Sequence, residues 1–157
     1  MKNIVTTATA LSAILSVSAA FASPVPTVSS VAKPGSVSRG GHGTLTMTVS
    51  VPAGYHVNAN KIADPYLIPT VLSVKPASGI TLGAPKYPKP ASVANPAGGS
   101  NLMVYKGKVA IVVPFTVSKS AKPGRVPLES TLKYQMCNDK SCFPPSSAVA
   151  KSAVTVK

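Results

Sequence analysis

The amino-acid sequence predicts an all-β fold, an immunoglobulin-like β-sandwich, on three observations. After the first 22 residues the chain is dominated by Val, Thr, Ser, Ala and Pro. Several short runs alternate apolar and polar residues with a period of two, and none shows the longer period of a convincing helix. Pro and Gly punctuate these runs. Short alternating strands separated by such turns are typical of two packed sheets.

Three runs predict the main strands. In residues 44–51 apolar side chains alternate with Thr and Ser, so one face belongs to the core. Residues 108–117 are apolar on both faces, and we expect a central strand. Pro114 lacks an amide hydrogen and therefore marks an edge, a bulge or the end of a ladder. Residues 128–136 alternate again, and the shorter candidate strands are residues 71–74, 102–105 and 149–156.

The first 22 residues predict a signal peptide. Lys2 precedes an uncharged stretch that ends in Ala20-Phe21-Ala22, a small-x-small cleavage pattern. An uncleaved membrane anchor is the less favoured interpretation, and no later stretch is long and apolar enough to cross a membrane. Cleavage leaves residues 23–157, which is the usual size of one domain. We therefore expect an exported protein with a single domain.

The mature chain is strongly basic. Without residues 1–22 it has 15 Lys and Arg against Asp64, Glu129 and Asp139, a formal charge of +12. The basic residues are scattered, and no zinc-finger, basic-helix or ribonucleoprotein motif occurs, so we expect no nucleic-acid partner. We interpret the charge as a solvated surface that aids solubility and steers acidic partners.

A Pro-rich segment, residues 83–100, separates two of the predicted strands. It contains four prolines and ends near Gly98-Gly99. This composition predicts a long irregular loop over one end of the sandwich. Long ordered loops often carry function, and a disordered insert is the alternative.

The cysteine pair, Cys137 and Cys142, is the main candidate for chemistry. Two cysteines in an exported protein normally form one disulfide, which either staples the fold or reacts. A bond that closes only six residues stabilises a fold by about 2 kcal/mol, so it is a poor staple. Strand alternation predicts that the Cys137 sulfur leaves the sheet on the polar side unless a bulge intervenes.

The residues around the pair predict a hairpin tip at the domain surface. Asn138-Asp139-Lys140-Ser141 favours a turn, and Pro144-Pro145 stiffens the chain beyond it. Lys133 and Lys140 favour a thiolate whereas Asp139 opposes them, so the direction of any shift in thiol acidity stays open. The C-x4-C spacing also occurs in ordinary small disulfide loops.

The segment Tyr134-Gln135-x-Cys137-x-Asp139-x-x-Cys142-x-Pro144-Pro145 resembles the signature of the amino-terminal periplasmic domain of the thiol:disulfide interchange protein DsbD. The similarity extends through Gly54-Tyr55-His56-Val57-Asn58, Ile68-Pro69-Thr70, Tyr87-Pro88, Tyr105-Lys106-Gly107 and Val113-Pro114-Phe115, over roughly residues 37–156.

This resemblance implies an immunoglobulin-like periplasmic domain that receives electrons from a membrane transporter and passes them to thioredoxin-like periplasmic oxidoreductases. It implies that Cys137 and Cys142 are the catalytic pair, with Cys142 the partner in mixed disulfides, and that a cap loop within residues 87–100 shields them. The chain ends at Lys157, before the family's membrane segment and thioredoxin-like domain, and the predicted cap has no acidic residue. We therefore expect a separate membrane electron donor, with the direction of transfer and the acceptor open.

Two other functions stay open beside thiol–disulfide exchange. One is a non-catalytic exported binding or structural module with an inert disulfide. The other is a subunit that docks on a membrane or thioredoxin-like partner without exchanging electrons. Enzyme status is open in the same way, with a component of a thiol–disulfide oxidoreductase system as the favoured interpretation.

The other candidate residues have ordinary structural explanations. A metal site built from His42, His56 and three methionines is disfavoured because Met47 and Met136 fall on core faces. We expect no metal or cofactor, and we interpret His56 as a turn or packing residue. The tyrosines are typical packing residues, and Tyr134 should point inward. Three acids in the whole chain exclude a paired-carboxylate or Ser-His-Asp site.

Overall fold

The computed structural model describes residues 24–95 and 98–157, so the predicted signal peptide lies outside the described residues. Within these ranges the chain has strands and no helix, which confirms the predicted all-β class. The strands are β1 (Thr27–Lys33), β2 (Ser36–Val37), β3 (His42–Ser50), β4 (His56–Asn58), β5 (Val71–Val74), β6 (Ile80–Leu82), β7 (Ala91–Val93), β8 (Leu102–Tyr105), β9 (Lys108–Val117), β10 (Gly124–Tyr134), β11 (Met136–Cys137) and β12 (Ser146–Val156).

The strands form three four-stranded sheets. The first has the order β1-β3-β9-β6, the second β2-β12-β10-β5 and the third β11-β4-β8-β7. All pairs are antiparallel except β2 with β12. The first two sheets share one apolar core, to which β3, β9, β10 and β12 all contribute. This is the predicted immunoglobulin-like sandwich.

The alternating runs bury the faces that the sequence predicts. Leu45, Met47 and Val49 of β3 are buried, and so are all five apolar residues at odd positions of β9 from Val109 to Val117. On β10 the buried side chains include Leu128, Leu132 and Tyr134, which confirms that Tyr134 points inward. Met47 and Met136 are core residues, also as predicted.

Strand β9 is central, as predicted, because β3 pairs with one edge and β6 with the other. The ladder between β6 and β9 stops near Pro114, where β6 ends at Leu82. The Pro114 carbonyl accepts a hydrogen bond from Gly83 N at 2.7 Å, and beyond it only an isolated bridge joins Lys86 to Val112. A residue without an amide hydrogen therefore lies where the ladder ends.

The third sheet departs from the sequence prediction. The run 128–136 was expected to be one strand, but it divides at Gln135, where β10 ends in the second sheet and β11 begins in the third. The predicted irregular loop, residues 83–100, contains β7, which pairs with β8. In the part of the chain that is described, no helix is long and apolar enough to span a membrane.

Candidate functional site

The cysteine pair lies on a short hairpin that begins with β11. Cys137 and Cys142 form an isolated antiparallel bridge. Asn138 N donates to Ser141 O at 2.9 Å, and Phe143 N donates to Met136 O at 2.8 Å, on either side of the pair. The cysteines are thus opposed without hydrogen bonds between their own backbones, the arrangement that brings side chains closest. A disulfide joins them, with a Cα–Cα distance of 4.0 Å.

The turn of this hairpin is stabilised by one side chain. Asn138 Oδ1 accepts hydrogen bonds from Lys140 N at 2.9 Å and from Ser141 N at 2.8 Å. Asn favours turns because its side chain can satisfy backbone amides in this way. Asp139, Lys140 and Ser141 are exposed, so the tip of the hairpin lies at the surface as the sequence predicts.

The two cysteines differ sharply in exposure. Cys142 is exposed, whereas Cys137 is 1% exposed. The sequence predicted that the Cys137 sulfur leaves the sheet on the polar side unless a bulge intervenes, and the structure buries Cys137. The break at Gln135 moves the chain from the second sheet to the third, so the alternation of β10 does not determine the surroundings of Cys137.

His56 of β4 is the residue directly opposite Cys137. The neighbouring pair, Val57 and Met136, packs into the main core, whereas His56 and Cys137 are buried outside that core. Opposed residues of an antiparallel pair project to the same face of the sheet, and successive residues alternate between faces. His56 and Cys137 therefore share the face of the third sheet that points away from the main core.

The His56 ring is buried without full hydrogen bonding. Its Nε2 atom has no hydrogen-bond partner, and the residue is 5% exposed. Burial lowers the pKa of His56 below its ordinary value, and the Lys106 charge lowers it further, while the Asp139 carboxylate raises it. The net direction is downward, so the imidazole is neutral at neutral pH.

A hydrogen-bond network centred on Gln135 ties the hairpin to the segment before β5. Gln135 Oε1 accepts from Ile68 N at 3.1 Å and from Asn58 Nδ2 at 3.2 Å. Gln135 Nε2 donates to Phe143 O at 3.3 Å, and Asn58 Nδ2 also donates to Ile68 O at 3.0 Å. Asn58 lies two residues after His56 on β4, hence on the same face. This network therefore joins the segment that contains Ile68 to β4 and to Gln135 and Phe143, which flank the cysteine pair.

An open cleft of about 410 Å³ adjoins the hairpin. Its lining includes Tyr55, His56, Lys106 and Asp139. The Tyr55 ring packs against the ring of Phe143, the residue after Cys142, with 6.1 Å between the ring centroids. The cleft thus places a buried imidazole, a cation and a carboxylate beside the cysteine pair.

Other residues that the sequence singles out lie elsewhere. His42, on β3, contacts Thr116 of β9 at 3.0 Å and is exposed. Within residues 24–95 and 98–157 no group of three or more His, Cys, Asp or Glu could hold a metal ion. Lys133 is exposed on β10, and Lys140 is exposed on the hairpin turn.

The Pro-rich segment is anchored to the third sheet. Strand β7 occupies the opposite edge of that sheet from β11, with β4 and β8 between them. Tyr87 accepts a hydrogen bond from Leu72 N at 2.8 Å and stacks on Tyr105. Residues 96 and 97 lie outside the described residues. The capping function of residues 87–100 stays a prediction.

The position of His56 opposite Cys137 and the hydrogen bonds of Gln135 were not predicted from the sequence. Strand β4 has only three residues, and all three are buried, so it shows no alternation that could reveal it. The one available signal was the presence of Tyr55-His56-Val57-Asn58 among the motifs shared with a known family.

Comparison with known structures gives distant similarities. The reduced N-terminal domain of DsbD from Neisseria meningitidis is 20% identical, with a TM-score of 0.47, over 71% of this chain and 77% of that chain. The N-terminal periplasmic domain of ScsB from Proteus mirabilis is 13% identical, with a TM-score of 0.50, over 74% of this chain and 42% of that chain. The second similarity supports the fold. A comparison with curated proteins found no significant match.

A comparison with family models gives a broader match. The family described as "Thiol:disulfide interchange protein DsbD, N-terminal" matches residues 24–153. The match spans most of the chain and includes both cysteines, the β4 motif and Gln135. The chain therefore belongs to the family of the N-terminal domain of the thiol:disulfide interchange protein DsbD.

Proposed function

We propose that this chain passes electrons by dithiol/disulfide exchange through Cys137 and Cys142. The observation that carries the proposal is the asymmetry of the pair in a member of this family: Cys142 is exposed, and Cys137, which is bonded to it, is buried. Exchange requires one sulfur that a partner can reach and a second that displaces the partner.

The reaction begins with the dithiol form when the chain is the electron donor. The Cys142 thiolate attacks one sulfur of the partner's disulfide, and the partner's other sulfur leaves as a thiolate. The Cys137 thiol then loses its proton and attacks Cys142 Sγ, which releases the partner's second thiolate. The chain ends with the Cys137–Cys142 disulfide, and the partner has gained two electrons. Loading of the chain by a donor dithiol follows the reverse sequence.

The proposed partners and location follow from the family. Membership in the family supports thioredoxin-like periplasmic proteins as the proposed acceptors and a membrane protein as the proposed donor. We also propose cleavage of residues 1–22 and function of residues 23–157 as a single periplasmic domain. The formal charge of +12 on that domain would speed encounter with acidic partners.

Trapping of mixed disulfides in cells tests the function. The Cys137→Ser variant keeps the exposed sulfur but cannot resolve the intermediate, so it should accumulate disulfide-linked complexes with thioredoxin-like proteins. Cys142→Ser is the matched control and should accumulate far fewer. If both variants are folded and exported but accumulate equally negligible amounts of disulfide-linked complex, the proposal is contradicted. Identification of the trapped proteins would name the donor and the acceptor.

A further inference from the structure

The buried cysteine has no route of its own for losing a proton. Cys137 is 1% exposed, so bulk water has little access to its sulfur. Burial in a poorly hydrated site disfavours a thiolate. The resolving step of the proposed function nevertheless requires the Cys137 thiolate. A neighbouring group that accepts the proton would remove this obstacle.

His56 is placed to be that group. It is the cross-strand partner of Cys137, and directly opposed residues have Cβ atoms about 4.5–5.5 Å apart on one face of the sheet. Both residues are buried. The two side chains therefore project from opposed positions on one face of the sheet, where both residues are buried.

The hydrogen bonding of His56 supplies an independent indication. In the disulfide form its Nε2 is buried and has no hydrogen-bond partner. A buried polar atom without a partner is costly and calls for an explanation. Reduction of the disulfide creates a thiol S–H group on Cys137. This group can donate a hydrogen bond to Nε2 when that nitrogen carries no proton. A thiol on Cys137 would supply the partner that Nε2 lacks in the disulfide form.

We propose that His56 Nε2 accepts the Cys137 proton when Cys137 resolves the mixed disulfide, an inference that rests on the proposed function. In this step the Cys137 S–H bond breaks and its proton passes to His56 Nε2. The freed electron pair forms the bond to Cys142 Sγ, and the bond between Cys142 and the partner breaks. The partner leaves as a thiolate, and the imidazolium then gives its proton to that thiolate or to water.

The groups around the imidazole suit this function. The flanking groups that titrate are Tyr55 on the same segment, Lys106 after β8 and Asp139 on the hairpin turn. Burial and the Lys106 charge keep the ring neutral and ready to accept a proton, while the Asp139 carboxylate favours the imidazolium that forms. The cleft between these residues opens a path by which the proton reaches water.

The test separates the two chemical steps in the reduced protein. One equivalent of an aromatic disulfide that releases a coloured thiolate gives a first release when Cys142 attacks and a second when Cys137 resolves the intermediate. The Cys137→Ser variant identifies the first phase. The variant His56→Gln should slow the second phase about 100-fold at neutral pH and leave the first unchanged. His42→Gln, which changes the exposed histidine on β3, is the matched control and should alter neither phase.

The pH profile distinguishes proton transfer from a structural effect. With His56 as acceptor, the second phase in the unmodified protein should be nearly flat between the pKa of His56, below 6.5, and that of the thiol. Without it, the rate should rise about tenfold per pH unit, as the thiolate fraction does. A tenfold rise per unit in the unmodified protein overturns the inference, and so does a folded His56→Gln variant with an unchanged second phase. Absence of both phases in the unmodified protein instead overturns the proposed function.

Discussion

Cys142 is exposed, whereas Cys137, to which its sulfur is bonded, is 1% exposed. The difference arises because Cys137, on β11, lies between β4 and the returning segment of the hairpin, whereas Cys142 lies on that outer segment. Under the proposed function, a partner would reach Cys142 first, and this would set the order of the two halves of an exchange reaction.

This asymmetry predicts unequal alkylation in the reduced protein. Iodoacetamide should modify Cys142 at least about tenfold faster than Cys137, because alkylation requires an accessible thiolate. Mass spectrometry of peptides from a time course measures both rates. The same course in concentrated guanidinium is the control, in which the rates should converge. Equal rates in the native protein would contradict the assigned order of attack.

The fold should persist without the disulfide. The bond closes a loop of six residues and contributes about 2 kcal/mol to the free energy of unfolding, while the core of the two main sheets does not depend on it. Denaturant titration of the oxidised and reduced proteins, and of the Cys137→Ala, Cys142→Ala double variant, measures the loss. Global unfolding on reduction would show that the bond is a structural staple.

Removal of the Gln135 side chain should loosen the segment before β5, which contains Ile68. Gln135→Ala leaves Ile68 N without its acceptor and weakens the hydrogen bonding of Asn58, which should cost about 1–3 kcal/mol of stability. Hydrogen exchange at Ile68 N should accelerate. The control is Asn101→Ala, which removes an exposed hydrogen bond to Ser92 and should change stability by less than about 0.5 kcal/mol. Unchanged exchange at Ile68 would mean that the network does not hold this segment.

Stability should fall on acidification because of His56. Its pKa is lowered in the folded state, so below about pH 6.5 the unfolded chain binds the proton more readily than the folded chain. The contribution of the neutral ring is complete above that pH and is lost as the pH falls through the folded-state pKa. Denaturant titrations from pH 7.5 to pH 4.5 should show this loss, reduced in His56→Gln and retained in His42→Gln. An identical pH dependence in all three proteins would contradict the burial of a neutral His56.

The main strands could be predicted from the sequence, and the details of the site could not. Residues 108–117 and 71–74 are the strands β9 and β5 without any shift, because their alternation and flanking turn residues are local signals. Strand β4 gave no such signal, since its three residues are all buried. The burial of Cys137 could not be predicted because its surroundings depend on the change of sheet at Gln135, a tertiary feature that no local period records.

The reduction potential of the Cys137–Cys142 pair tests the central claim most directly. It can be measured by equilibration with glutathione or dithiothreitol buffers and quantification of the two redox forms, with the double Ala variant as the blank. A pair that exchanges with periplasmic oxidoreductases should have a potential between about −270 and −120 mV, the range of known exchange proteins. A value well below about −300 mV is typical of a structural disulfide, and it would contradict thiol–disulfide exchange as the function.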